Sequence, residues 1–309
     1  MYAGRRITTY LGSGMDLPNL GTNPELDTIM QRARKFDIET NLLDLAMYGF
    51  TVVPPEKLGS KDLTPRLREA ILGVYERRTQ HKIDDWSTYD GKIEKHQSWG
   101  WLLEDDVFLE AMHNPVYQTI GQFLTGQSGF LAGAAVIFKT QAQELDLPLH
   151  SDSHGVPPPW PSFATYGNLS WLLTDYLSRE DGPTVLVPGS QRGRMPRGNE
   201  SNAHLEENEH IKPIPLEGAA GSLAVWNGSM WHGSVRRTKP GMRITLVTVW
   251  QRVFMRPIER VKEISPEQLK KWPDLPRLLG YERIYPFQEE NTCPAQVDPT
   301  IQAGRDQYA

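Results

Sequence analysis

GSLAVWNGSMWHGSVRRTKPGMRITLVTV, residues 221–249, sets short apolar runs between connections built from glycine, asparagine and proline. Runs of this kind, bounded by turn residues, read as β-strands, here over 222–227, 234–237 and 243–253. Gly221 can turn the chain into the first strand, and His232 follows a short connection at the start of the next. Arg243 opens a strongly apolar strand. A buried arginine needs an anionic partner, and its guanidinium fork fits a carboxylate in a bidentate manner. Where the protein supplies no carboxylate, a carboxylate-bearing co-substrate would.

Upstream the same texture begins at about residue 130. AGAAVIFKT (132–140), LPLHSD (147–152), NLSWLLTD (168–175), TVLVPG (184–189) and IKPIPL (211–216) are further expected strands. Many short strands with such punctuation indicate a β-sandwich or jelly roll. Within LPLHSDSHG (147–155), an extended 148–152 puts His150 and Asp152 on one face. With His232 arriving from the later strands, two imidazoles and one carboxylate would leave coordination positions open, the arrangement of mononuclear non-haem Fe(II) oxygenases. An isolated H-x-D is also satisfied by a strand-end histidine hydrogen-bonded to a neighbouring carboxylate.

The first part of the chain reads as helical. Expected helices cover 25–36, the start of 41–53 before Gly49 leads into a buried strand at Thr51–Val53, and 63–78, with Asp62 or Thr64 as cap and Pro65 in the first turn. Pro54 and Pro55 stop the strand. Residues 80–105 read as loop, and 106–124 as two helical pieces broken at Asn114 and Pro115. Short helices are expected in 265–283, then a tail. The expectation is mainly β with a helical N-terminal part, in a single domain over 1–309: an arm (1–40), a mostly helical support (41–129), a jelly-roll core (130–255) and C-terminal helices and tail (256–309).

With 39% hydrophobic and 23% charged residues over 309, the balance is that of a soluble globular chain able to bury a sizeable core. A net charge of −5 gives no pull towards nucleic acid or anionic membrane, and no apolar run is long enough to span a bilayer. The first residues lack the apolar segment of a secretory signal; Arg5 and Arg6 give only a faint transit-peptide character, and Asp16 follows early. The cytoplasm is the default expectation. The single cysteine, Cys293, leaves neither an intramolecular disulfide nor a cysteine-rich metal site, and no neighbouring base marks it as a nucleophile.

The order of H-x-D at His150 and Asp152, DGPTVLVPGS (181–190), a glycine-led strand, WHGS (231–234) and Arg243 resembles the phytanoyl-CoA dioxygenase family. GFTVVPPEKL (49–58) followed by LREAI (67–71) resembles the family's opening, so the likeness spans roughly 41–253. Gln191 stands where the family pattern P-G-S-H has histidine; that position is not an iron ligand in the family, which implies altered loop contacts rather than altered chemistry. The resemblance implies a double-stranded β-helix, a jelly roll flanked by helices, with Fe(II), 2-oxoglutarate and O2 as cofactor and co-substrates. It implies that His150, Asp152 and His232 bind iron and that Arg243 pairs with the distal carboxylate of 2-oxoglutarate. Ser234, two residues after His232, is a further partner for that carboxylate or an ordinary strand serine. The implied reaction is hydroxylation or another oxidation of a C–H bond in a small organic molecule, natural products included. Related halogenases have a small residue where this chain has Asp152, so halogenation is disfavoured. The other readings are a Zn-dependent hydrolase or isomerase on the same ligands, and a non-catalytic jelly-roll binding protein.

Several further residues carry two readings. His154 and VPPPWPSF (156–163) form a lid or a proline-rich connection, and 191–210 a second lid or a surface loop. Arg192, Arg194 and Arg197 attract an anionic substrate or form a solvated loop. Trp171, Trp226 and Trp231 line a pocket or fill the core, with core favoured for Trp226; His204 and His210 are expected to be exposed. GSGM (12–15) and GQSG (126–129) lack the lysine of a phosphate loop. The C-terminal Gln307-Tyr308-Ala309 is not a peroxisomal tripeptide.

Overall fold

A computed structural model describes residues 24–281 apart from 154, 206–207 and 260–262. The expectations for the first 23 residues, for His154 and for the tail with Cys293 lie outside the described residues. In chain order the elements are helices α1 (Pro24–Lys35) and α2 (Glu39–Tyr48), strand β1 (Phe50–Val53), α3 (Pro55–Leu58), α4 (Leu63–Thr79), β2 (Gln97–Trp99), α5 (Asp106–Met112) and α6 (Pro115–Thr125). They continue with β3 (Phe130–Lys139), β4 (Leu147–His150), β5 (Tyr166–Leu172), β6 (Thr184–Leu186), β7 (Ile214–Pro215), β8 (Leu223–Asn227), β9 (His232–Ser234), β10 (Arg243–Gln251), α7 (Pro266–Lys271) and α8 (Leu275–Leu278).

The strands form a six-stranded sheet, β1-β8-β5-β10-β3-β2, and a four-stranded sheet, β4-β9-β6-β7, with every ladder antiparallel. This is the jelly roll with a helical N-terminal part. Side-chain alternation divides the large sheet into two faces. Ala134, Val136 and Phe138 of β3, Leu169 and Trp171 of β5, Leu223 and Val225 of β8 and Ile244, Leu246 and Trp250 of β10 pack with Leu67, Ile71 and Val74 of α4 and Tyr117 and Ile120 of α6. The intervening residues, among them Ile137, Lys139, Ser170, Leu172, Ala224, Arg243, Thr245 and Val247, face a cavity between the two sheets. The opposite wall comes from the small sheet: Leu186 of β6 packs with Leu172 and Ala224 across the gap. No helix among the described residues is long and apolar enough to cross a membrane.

Local expectations hold at the helix break, where Asn114 accepts from the N–H groups of Val116 and Tyr117 and caps α6, and at Gly49, which closes α2 at φ +89°. Others need correction. Neither Asp62 nor Thr64 caps α4: Asp62 is helical without a side-chain bond, and the Thr64 hydroxyl donates to the Ser60 carbonyl at 2.8 Å. Within 80–105, Gln97–Trp99 is a strand, too short for its alternation to show, recruited by pairing with β3. The strand expected at 234–237 is instead His232–Ser234, because Arg236 leaves the ladder to bind Asp146 and Arg237 turns to the Gly241 and Pro240 carbonyls.

Candidate metal centre

β4 ends at His150, so Asp152 lies just beyond the strand. The H-S-D-S segment is shaped by the turn before β9 and not by strand alternation. The Asp152 N–H and the Ser151 hydroxyl both donate to the Gly228 carbonyl, at 2.9 and 3.2 Å, and the Ser153 and Ser229 hydroxyls lie 2.7 Å apart. His150 stands opposite His232 in the β4–β9 ladder, which brings their ring centroids to 4.2 Å. Asp152 Oδ1 is 3.7 Å from His150 Nε2, and Oδ2 is 3.4 Å from His232 Nε2. One donor atom from each residue falls within 4.8 Å of the others.

Hydrogen bonds decide which atoms are available. Nδ1 of His150 bonds the Pro148 carbonyl and Nδ1 of His232 the Met230 carbonyl, both at 2.9 Å. A carbonyl only accepts, so each Nδ1 carries a hydrogen and each ring turns its Nε2 towards Asp152, leaving Nε2 as the atom that can face a metal. Burial, and then neighbouring His232, pushes His150 below the ordinary histidine range, which favours the neutral ring. Asn168 donates to Asp152 Oδ2 at 2.7 Å and orients the carboxylate. Two imidazole lone pairs and a carboxylate thus converge as acceptors, a donor set that suits a divalent first-row metal with positions left open. The residues fit Fe(II).

The three donors border a cavity of about 210 Å³ whose wall includes Lys139, Ser234 and Arg243. Arg243 is 2% exposed; its Nη1 donates to the Gly182 carbonyl, its guanidinium lies 4.9 Å from the Tyr176 ring, and its Nε has no acceptor. Asp181, an acid that acts on it, is held by Arg237 and Lys239. A buried guanidinium with an unmatched N–H beside a cavity fits the carboxylate of an oxoacid. Ser234 does face the cavity, and its Oγ accepts from Lys139 Nζ at 2.7 Å. Asn168 and Lys139 were not singled out in the sequence. A lysine ending the otherwise apolar β3 was a visible signal, but its neighbours depend on register.

Trp226, expected in the core, is buried yet lines the cavity, 5.4 Å from the His232 ring. Trp171 is core, stacked on Tyr117, and Trp231 donates to the Arg194 carbonyl away from the cavity. His204, expected to be exposed, is 6% exposed because the turn Gly198–Asn202 packs on β4 and carries it inward; His210 is exposed. Arg194 is committed to Glu200 by two hydrogen bonds, and Gln191 lies buried against Gly49 as a loop contact. Among the described residues of 153–163 and 191–210, none lines the cavity.

The family described as phytanoyl-CoA dioxygenase matches residues 46–245. The dioxygenase af480 of Aspergillus fumigatus is 26% identical over 313 residues, covering 96% of this chain and 96% of that protein. HygX from Streptomyces hygroscopicus, solved with nickel and 2-oxoglutarate bound, has 16% identity and a TM-score of 0.56 over 74% of this chain and 93% of its own. EctD from S. alaskensis with bound Fe has 18% identity and a TM-score of 0.56 over 72% and 81%. These two share the fold. The matched span runs from the end of α2 to the start of β10 and takes in the residues of the candidate centre, and the chain belongs to the phytanoyl-CoA dioxygenase family.

Proposed function

We propose that the chain is an Fe(II)- and 2-oxoglutarate-dependent dioxygenase that oxidises a C–H bond in an uncharged, largely apolar part of a small organic molecule. His150, Asp152 and His232 hold the iron, and Arg243 with Ser234 holds the distal carboxylate of the oxoacid. The observation that carries this is the convergence of three metal-type donors within 4.8 Å on a cavity that also presents a buried arginine with an unmatched N–H. Support comes from HygX and EctD, solved with 2-oxoglutarate and with iron, and from SnoK, a carbocyclase of nogalamycin biosynthesis with a TM-score of 0.55. The last favours a natural-product substrate.

Bound iron and 2-oxoglutarate supply the oxidising power, the oxoacid leaving as succinate and CO2 while O2 is consumed. The protein's part is orientation and exclusion of water. Carbonyl bonds at Nδ1 hold both imidazoles with Nε2 towards the metal position, and Asn168 holds Asp152. Arg243 fixes the far end of the oxoacid. Ile137, Leu172, Leu216, Ala224 and Val247 give the cavity an apolar wall, and Trp99 and Leu147 are 39% and 44% exposed where it opens. That part of the lining receives a hydrocarbon or ring face of the substrate, apart from the Arg243 and Ser234 end that takes the oxoacid carboxylate. With Asp152 occupying the carboxylate position, hydroxylation, desaturation, ring closure or epoxidation is favoured over halogenation.

The test is anaerobic titration of metal-free protein with Fe(II) and 2-oxoglutarate, following the weak visible charge-transfer band of the chelate. Wild type develops the band, His232→Ala abolishes it and Arg243→Ala shifts its half-saturation to higher oxoacid. No band at saturating iron and oxoacid would overturn the proposal.

A further inference from the structure

β2 is the outermost strand of the large sheet and β4 the outermost strand of the small one, and the cavity opens between these edges. In the ladder Gln97 stands opposite Ile137 and Trp99 opposite Ala135. All four line the cavity, so alternation aims both β2 side chains inward. The single methyl of Ala135 leaves room beside the indole. Trp99 is 39% exposed, and Gln97 is exposed as well. Among the described residues no ring stacks on Trp99 and no group bonds the Gln97 amide. A three-residue strand with exposed side chains has little packing to hold it. Side chains from elsewhere hold its backbone instead. Trp101 Nε1 donates to the Ser98 carbonyl at 2.7 Å. Arg78 of α4 donates to the Trp99 and Gly100 carbonyls at 3.0 and 2.5 Å, and is itself fixed by Glu104 at 2.9 Å and by the Trp101 ring at 4.4 Å. From the segment after β10, Glu259 Oε1 accepts from the Gly100 and Ala134 N–H groups at 3.0 and 2.6 Å. Gly133 makes room for it, since a Cβ there would lie 2.9 Å from Glu259 Cγ. Protection of a sheet edge accounts for these bonds. It does not account for an indole and an unbonded amide turned into the cavity mouth.

We propose that β2 selects the substrate: Trp99 stacks on a flat ring of the substrate, and the Gln97 amide hydrogen-bonds an oxygen function carried by that ring. This rests on the function proposed above and narrows its substrate to ring compounds bearing a hydroxyl or carbonyl group. A flat ring gains most from an indole face, in an offset or edge-on arrangement. A primary amide both donates and accepts, so it serves a hydroxyl or a carbonyl. Because Arg78, Trp101 and Glu259 already fix the backbone that carries both side chains, little order is lost when the ring arrives.

The experiment measures probe binding to protein loaded with Mn(II) and 2-oxoglutarate, from the relaxation that the bound Mn(II) imposes on the probe protons. 4-Methylphenol has a flat ring and a hydroxyl, toluene only the ring, and 4-methylcyclohexanol only the hydroxyl. Wild type is expected to bind 4-methylphenol about three- to tenfold more tightly than either of the others. Trp99→Leu is expected to abolish the preference over 4-methylcyclohexanol, and Gln97→Leu the preference over toluene. Trp99→Phe keeps a flat ring and is expected to restore the first preference; it carries the test if the leucine variant does not fold. Mn(II) and 2-oxoglutarate affinities, measured on the same samples, are expected to change by no more than about twofold. Equal weakening of all the probes, or loss of metal and oxoacid binding in the variants, would make β2 a structural edge and overturn the proposal. Wild type that binds metal and oxoacid without preferring 4-methylphenol would also overturn it while leaving the oxygenase reading intact. Wild type binding neither metal nor oxoacid would overturn both.

Discussion

Lys139, 2% exposed and directly opposite Arg243, is buried in a way that the pH dependence of stability can report. An unfolded lysine titrates near its ordinary value of about 10.4, whereas the folded group sits at about 6. Between these values the unfolded chain holds more protons than the folded one, so stability rises with pH across the window. The stability is fully present above the unfolded value and is lost progressively as pH falls towards about 6. Tyr117, Tyr166 and Tyr176, all pushed upward by burial, act in the opposite direction only above about pH 10. Metal-free wild type is therefore expected to gain thermal stability from pH 7 to 9.5, and Lys139→Met to lose most of that slope. Parallel curves would show that the buried amine keeps its proton. At this scale the sequence already singled out His150, Asp152, His232 and Arg243, by residue type, order and the family resemblance, and the fold brings them to one cavity. Asn168, Lys139 and the cavity-facing role of Trp226 were not, since each depends on which strand lies beside which.

Helix α6 shows how closely the helical layer sits on the large sheet. A Cβ on Gly121 would lie 2.5 Å from Cε2 of Trp250, which is 1% exposed and held edge-on by Tyr117. Replacing a helical glycine by alanine ordinarily stabilises by about 0.5–1 kcal/mol, but overpacking a fixed core costs about 1–3 kcal/mol, so Gly121→Ala is expected to destabilise. Gly73 in α4 has only the flexible end of Arg77 near its Cβ position, at 3.8 Å, and Gly73→Ala should stabilise by about 0.5–1 kcal/mol. Urea unfolding of the two variants checks the opposite signs; equal shifts would mean that α6 can move away from the sheet. The long elements of this layer were legible in the sequence. β3, β5 and β10 carry runs of apolar and β-branched residues, and α4 has helical spacing. The three-residue β2 and the true limits of β9 were not, because a strand that short owes its existence to its neighbour.

Across the whole molecule, the candidate centre is assembled from both sheets. His150, His232 and Ser234 come from the small one, while Lys139, Asn168 and Arg243 come from the large one. On the proposed assignment, metal alone would contact the small sheet and the segment following β4, and would reach the large sheet through the Asn168–Asp152 hydrogen bond. The oxoacid would add β10 through Arg243. Each ligand that binds only the folded state stabilises it, by about 2.7 kcal/mol at a hundredfold excess over its dissociation constant. The stabilisation should be spatially ordered, because local openings are suppressed where the ligand ties elements together. In hydrogen exchange, Ni(II) is expected to slow β4, β9 and the 228–231 connection first. Addition of 2-oxoglutarate should then extend protection to the Arg243 end of β10 and the end of β3 paired with it, with α1, which packs on α2 and α6, unchanged. Protection that stays within the small sheet with both ligands present would mean that the oxoacid does not reach Arg243. It would detach the arginine from the site even if the metal ligands were right.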